Sequence, residues 1–337
     1  MQRYTVLSMG DPAGQSPEMI IKAARILSGD PALYLIVTGD EGVFRKTASD
    51  LSMPLPFTFY TDDRESLKEA EDNSEQLIFY NTSSIDIDEF CYGKVSAETG
   101  EASYEALKNA VEIIQNGLGQ TLVTMPVSGE ALRLAGYKER SVFGLLSLFA
   151  SSARLSNMLR SGNLNIFGLT HRRSVRSALE EVKRENIIST LVEIDSITSS
   201  PYFDSSKPIA VSSLNPMKAD GSWTGTEEDE AIIPAVETVR KIGINAIGPL
   251  PVEEVFAEGV RGKFSAELVM TASEGFAAAA AASSDKACMI TWGLPFMRVA
   301  PLIEAGFENA GKGTAETGRL EAAISLANLF RHSSLMA

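Results

Sequence analysis

The stretch YTVLSMGDPAGQSPE, Tyr4–Glu18, decides how the rest of the chain is read. Tyr4–Met9 is a short apolar and β-branched run of the kind found where both faces of a sheet are covered. Gly10-Asp11-Pro12-Ala13-Gly14 interrupts it. Ser16-Pro17-Glu18 then carries the marks of a helix start: a hydroxyl for the N-cap, a proline for the first helical position, and an acid at the positive end of the helix dipole. A helix is expected over Pro17–Leu27. The glycine turn between strand and helix has two readings. It is either a tight connection or a cradle in which bare backbone approaches an anion at the helix N-terminus.

The same alternation continues outward. Strands are expected at Leu33–Thr38, Gln76–Tyr80, Thr121–Thr124, Leu164–Leu169, Ile209–Ser212 and Leu268–Met270. Helices are expected at Ala102–Asn116, Arg176–Asn186, Glu228–Lys241 and Leu320–Phe330. This order predicts an α/β fold with largely parallel sheets. A length of 337 residues suggests about two domains at roughly 150 residues each. The default ligand site of such a fold is a cleft.

Composition narrows the function. With 44 acidic and 30 basic residues, the formal net charge is −14, which argues against nucleic acid or an anionic membrane as partner. Cys91 and Cys288 cannot form a disulfide framework, so a reducing cytoplasm is expected. No apolar run reaches the roughly 18 residues of a membrane span, and the chain enters a strand without a signal-peptide pattern. His171 and His332 are the two histidines, so one chain cannot supply three histidine ligands.

Several segments carry candidate chemistry. Gly306–Thr314 (GFENAGKGT) nearly spells a phosphate-binding P-loop, but Gly313 stands where a magnesium-ligating Ser or Thr is required and no clear strand precedes it, which argues against a nucleotide triphosphatase. A glycine loop bearing Lys312 can still hold phosphate through main-chain N–H groups, or can simply join two elements. Thr124–Ser128 follows a buried-type strand, at the strand end that lines the crevice in parallel sheets. Leu214-Asn215-Pro216-Met217 also follows a strand, although Asn-Pro is an ordinary turn initiator. His171 lies just past a strand and suits either a general base or ligand, or a surface hydrogen bond. Arg172 and Arg173 beside it disfavour its protonation and attract anions. There is no Gly-x-Ser-x-Gly turn, no Gly-x-Gly-x-x-Gly fingerprint and no Cys/His cluster.

Taken in order, nine segments form a specific series: MGDPAGQSPE (Met9–Glu18), GKVSAETGEASYEAL (Gly93–Leu107), LVTMPVSGEAL (Leu122–Leu132), LTH (Leu169–His171), LNP (Leu214–Pro216), GTEEDEAIIPA (Gly225–Ala235), GPLPVEEVF (Gly248–Phe256), GLPFMR (Gly293–Arg298) and AGKG (Ala310–Gly313). The series resembles the 4-hydroxythreonine-4-phosphate dehydrogenase family of pyridoxal phosphate (vitamin B6) synthesis. The resemblance implies a homodimer of subunits with two α/β/α domains and largely parallel sheets, built like isocitrate and isopropylmalate dehydrogenases. Residues 1–140 plus 300–337 would form the first domain and 141–299 the second, with the active site in the cleft between them. It further implies oxidation of a small anionic substrate by NAD or NADP, followed by loss of carbon dioxide. A divalent metal on three histidines would polarise the reacting oxygen, and the nicotinamide would take the hydride.

Carried over residue by residue, the resemblance assigns Gly10, Asp11, Gly14, Gly293 and Lys312 to the cofactor, and Arg298 and His171 to the substrate. His171 is also the one retained metal ligand. The second ligand position reads Met217 and the third Ala272. A substrate-binding His-Thr pair reads Leu145-Leu146, two lysines read Gly129 and Ala280, and an asparagine reads Met289. Leu145, Leu146, Met217 and Met289 are expected to make the pocket more apolar, while Arg298 and Arg172 still suit an anion. Glu274, Asp220 and Glu304 are candidate substitute oxygen ligands. The metal is therefore expected to be lost, and no catalytic residue is assigned. Two functions follow from this: a divergent NAD(P)-dependent dehydrogenase with impaired metal-dependent activity, or a non-catalytic ligand-binding or partner protein on the same fold.

Overall fold

Residues 4–152, 155–170, 174–220, 223–283 and 285–331 are described by the structure, a computed structural model. In chain order the first elements are β1 (Tyr4–Ser8), α1 (Ser16–Leu27), β2 (Leu35–Gly39), α2 (Glu41–Asp50), β3 (Phe59–Thr61), α3 (Arg64–Asp72), β4 (Leu77–Asn81), α4 (Ala97–Gln115), β5 (Gly119–Thr124), α5 (Gly129–Leu134) and α6 (Val142–Phe149). There follow β6 (Ser156–Ser161), β7 (Leu164–Gly168), α7 (Val175–Leu179), α8 (Arg184–Thr198), β8 (Ile209–Ser212), α9 (Ile233–Lys241), β9 (Ala246–Leu250), α10 (Val252–Gly259), β10 (Ala266–Val269) and α11 (Ala272–Ala282). β11 (Cys288–Trp292), β12 (Met297–Pro301) and α12 (Gly318–Arg331) complete the chain.

The chain forms two units, Met1–Ser156 with Ile290–Ala337, and Asn157–Met289. In the first, strands lie in the order β3-β4-β2-β1-β5-β12, all parallel. In the second the order is β6-β7-β10-β8-β9, parallel except for β6 against β7. This is the α/β architecture with largely parallel sheets that the alternation predicts. β1, β2 and β5 are buried almost throughout, which explains why their sequences run apolar rather than alternating.

The expected boundaries at 140 and 300 differ from those observed, because residues 141–156 and 290–299 both belong to the first unit. Leu145 and Leu146 of α6 pack into one apolar cluster with Leu107, Val111 and Phe296. β12 pairs with β5, setting Arg298 opposite Leu122.

Two expected helices are corrected. Arg176–Asn186 is not continuous: α7 ends at Leu179 and α8 begins at Arg184, with Lys183 extended between them. Glu228–Lys241 opens with a widened π turn over Glu228–Ile232 before α9 begins. Pro234 has no N–H to return to the carbonyl four residues back, so a regular α-turn cannot form across that point. Among the described residues, no helix is long and apolar enough to cross a membrane.

Candidate functional site

In the first unit, three segments follow the carboxyl ends of parallel strands and are tied to one another: Gly10–Gln15 after β1, Met125–Ser128 after β5, and Leu302–Ala315 after β12. Asp11 N–H donates to Pro126 O at 2.9 Å and Gln15 N–H donates to Ala305 O at 2.9 Å. Gly10 has φ +75°, and a Cβ there would lie 2.4 Å from Pro126 O; at Gly14 it would lie 2.4 Å from Ala305 O. Both positions require glycine because neighbouring backbone fills the space a side chain needs. Ser16, expected as the N-cap, is instead the first residue of α1. Gln15 precedes it already in helical conformation with no side-chain cap, and its side-chain amide donates instead to Glu304 O at 3.2 Å. The Ser16 hydroxyl is buried and accepts or donates no hydrogen bond.

Asp11 is fully buried at the centre of these loops. Burial pushes its pKa up to about 6, partly offset by the Ala13 N–H that donates to Oδ1 at 3.0 Å, while Oδ2 has no hydrogen-bond partner. Ser128 is the N-cap of α5, where its hydroxyl accepts from Ala131 N–H.

Arg298 is 6% exposed. Its Nε and Nη2 donate to the Thr124 hydroxyl at 2.9 and 2.6 Å, and Nη1 donates to the Thr291 hydroxyl at 3.0 Å. Sequence reasoning misses both threonines as partners of this arginine, because the pairing of β12 with β5 is a long-range contact; Thr124 lies two residues along β5 from Leu122, on the same face. Gly293 is exposed at φ +89° in the turn joining β11 to β12. Lys312 is exposed on the glycine loop. Leu145 and Leu146, where the resemblance has a His-Thr pair, are 1% and 0% exposed within the apolar core.

The second unit holds the remaining positions. Glu228 is 1% exposed and its Oε1 accepts both Leu214 and Asn215 N–H at 2.8 Å, while Asn215 Nδ2 reaches Glu227 and Glu228 at 2.8 Å. The Asn215 contact also holds Glu227 below the usual carboxylate range. These bonds fix the base of the Leu214–Asn215–Pro216 turn. Met217 beyond it is 64% exposed with φ 54°, and Ala272 is the first residue of α11. Glu274 is spent on the capping box of that helix with Thr271, and burial raises its pKa. Met289 is half-buried and Ala280 exposed. His171, Arg172 and Arg173 lie outside the described residues.

These residues do not fit a divalent ion held by imidazoles. Met217 offers only an exposed thioether, a soft donor, and Ala272 offers none. Asp220 is exposed, and Glu304 is exposed in the other unit. Among the described residues, no group of three His, Cys, Asp or Glu side chains is placed to hold a metal. For a dinucleotide, the exposed ammonium of Lys312 fits a phosphate as a point charge.

The parallel α/β frame with loops at its strand ends is that of the isocitrate dehydrogenase-like fold. The chain belongs to the family of the pyridoxal phosphate biosynthetic protein PdxA, whose model matches residues 32–327. Dehydrogenases of this family use NAD(P) and a divalent metal. A relative from Oceanobacillus iheyensis with the provisional name D-threonate 4-phosphate dehydrogenase is 31% identical over 330 residues, covering 95% of this chain and 97% of its own. A second with that provisional name, from Halalkalibacterium halodurans, is 28% identical over 324 residues, 95% of each chain. The solved 4-hydroxythreonine-4-phosphate dehydrogenase from Klebsiella pneumoniae superposes with a TM-score of 0.81 at 25% identity, covering 98% of this chain and 100% of its own. A EutD phosphotransacetylase from Staphylococcus aureus, at TM-score 0.51 and 12% identity over 96% of this chain and 94% of its own, shares the fold alone.

Proposed function

We propose that this chain is a divergent, homodimeric dehydrogenase of the family. In this reading it keeps a nicotinamide dinucleotide and a small anionic ligand, but has lost most of the metal-dependent oxidation of a 4-phosphorylated hydroxy acid. The observation that carries the reading is the donor set: Met217 and Ala272 stand where the resemblance places two of three metal-ligating histidines. The substrates named for the relatives, D-threonate 4-phosphate and 4-hydroxythreonine 4-phosphate, set the ligand class as a phosphorylated hydroxy acid. When bound, the dinucleotide supplies the hydride acceptor. The chain's own contribution is to hold a phosphate at Lys312 and to keep the loops after β1, β5 and β12 in register.

A second reading, a ligand-binding or partner protein without turnover, is favoured by one observation. The Leu145-Leu146 pair lies in the core rather than presenting polar groups to a ligand. Calorimetric titration with NAD⁺, on purified protein of measured metal content, separates the two. Micromolar binding, with little turnover of either phosphorylated substrate when magnesium or zinc is added, supports the divergent dehydrogenase. Absence of NAD⁺ binding by a folded dimer moves the chain to the second reading. Robust metal-stimulated oxidation overturns the loss of the metal-dependent step.

A further inference from the structure

Glu18 stands in the first turn of α1, where its sequence position suggests no more than an acid favoured by the helix dipole. It is 1% exposed, and its carboxylate reaches beyond its own helix. Oε2 accepts Gly313 N–H at 3.0 Å. Oε1 accepts Ala315 N–H at 2.8 Å and the Lys22 ammonium at 2.6 Å. Lys22 also donates to Gly313 O at 2.8 Å and Ala315 O at 3.2 Å. One ion pair, a single helical turn apart, thus binds both N–H and both C=O groups of Gly313 and Ala315.

This arrangement changes what the glycine loop offers a ligand. In a phosphate-binding loop the main-chain N–H groups face the phosphate. Here two of them face a carboxylate of the same chain, in charge-assisted bonds. What the loop still offers is Lys312, exposed between Gly311 at φ +70° and Gly313 at φ +73°. A loop already ordered in the free protein does not have to be ordered on binding, so affinity gains from the clamp without any new contact to the ligand.

We infer that Glu18 and Lys22 are a positioning pair that fixes the Gly311–Ala315 loop so that Lys312 meets a phosphate of the dinucleotide; this rests on the dinucleotide reading proposed above. Neither residue touches the ligand. Their effect passes through the backbone of Gly313 and Ala315.

The test combines hydrogen exchange of the peptide covering residues 311–316 with calorimetric titration of NAD⁺, on wild-type protein, Glu18→Gln and Lys312→Ala. Glu18→Gln is expected to exchange roughly tenfold faster at Gly313 and Ala315, and to bind NAD⁺ roughly tenfold more weakly, because the amide is uncharged and keeps one acceptor oxygen for two N–H groups. Lys312→Ala is expected to lose NAD⁺ affinity with exchange at Gly313 and Ala315 unchanged, which a purely structural loop would not show. If Glu18→Gln does not fold, Lys22→Met, which removes the two carbonyl ties and the ion pair but leaves Glu18 its bonds from Gly313 and Ala315 N–H, is read in the same way. Faster exchange with unchanged NAD⁺ affinity overturns the positioning role, and unchanged exchange overturns the clamp itself. A wild-type protein that does not bind NAD⁺ while its loop exchange depends on Glu18 overturns the dinucleotide reading and leaves the clamp standing.

Discussion

Arg298 on β12 and Thr124 on β5 meet side chain to side chain, with Nη2 donating to the threonine hydroxyl at 2.6 Å. Their strands pair in parallel with Arg298 opposite Leu122, so Thr124 is the diagonal neighbour on the same face. A guanidinium with 6% exposure has lost most of its water and depends on such acceptors. Thr124→Val should therefore cost about 2–3 kcal/mol of stability, the range for a lost hydrogen bond to a buried charge. Thr124→Ser should recover most of it. Urea unfolding of the three proteins measures both, and an unchanged midpoint in Thr124→Val would refute the dependence.

Leu145 and Leu146 give a second prediction. Restoring the polar pair that the resemblance assigns there, Leu145→His with Leu146→Thr, places two polar side chains among Leu107, Val111 and Phe296. The double variant should lose at least about 3 kcal/mol, from lost apolar burial and unsatisfied polar groups. A variant of full stability that gains turnover would show that the two positions face a ligand instead.

Asp11 makes stability depend on pH in the acid range. Its folded pKa, about 6, lies above its ordinary value of 3.8, so the native state binds this proton more tightly than the unfolded chain does. The contribution is complete below pH 3.8 and is lost as pH rises through about 6. Asp11→Asn, which keeps an acceptor for Ala13 N–H, should gain roughly 2–3 kcal/mol relative to wild type above pH 6, and little near pH 4. Melting both proteins across that range checks the sign; a wild-type advantage that grows with pH would contradict it.

Glu267, in β10 of the second unit, follows the same sign over a different window. It is fully buried; one oxygen accepts Asn165 N–H at 2.8 Å and the other has no hydrogen-bond partner. Burial pushes its pKa from 4.5 to about 8, against the opposing pull of its hydrogen bonds. Stability from this group should fall by about 1.4 kcal/mol per pH unit between those two values and level off above them. Glu267→Gln should remove that slope, read from chemical unfolding monitored at several pH values. A slope that survives the substitution assigns it to other groups.

The fold was largely legible because its strands are short, apolar and separated by clear turns, as in Tyr4–Met9 and Ile209–Ser212. β12 was hidden because Met297-Arg298 puts a charge into a buried strand, which reads as a site motif rather than as sheet. The division of the chain was displaced because α6 is too short and too evenly apolar for its sequence to say which core it joins. Glu18 shows the limit most clearly. Its place at a helix start explains its charge, but its partners lie 295 and 297 positions away, and no local pattern encodes a contact of that range.

The return of β12 and α12 to the first unit sets an order of assembly. On the ribosome the chain emerges from its N-terminus, so β5 appears long before β12, the strand that pairs with its far edge. Asn328 of α12, which accepts the Thr5 hydroxyl at 3.1 Å, arrives later still. The continuous second unit is able to finish its own sheet in the interval. The half of the protein made first is thus completed last. Until residues 297–331 emerge, the nascent chain carries an open strand edge of the kind that invites wrong pairing.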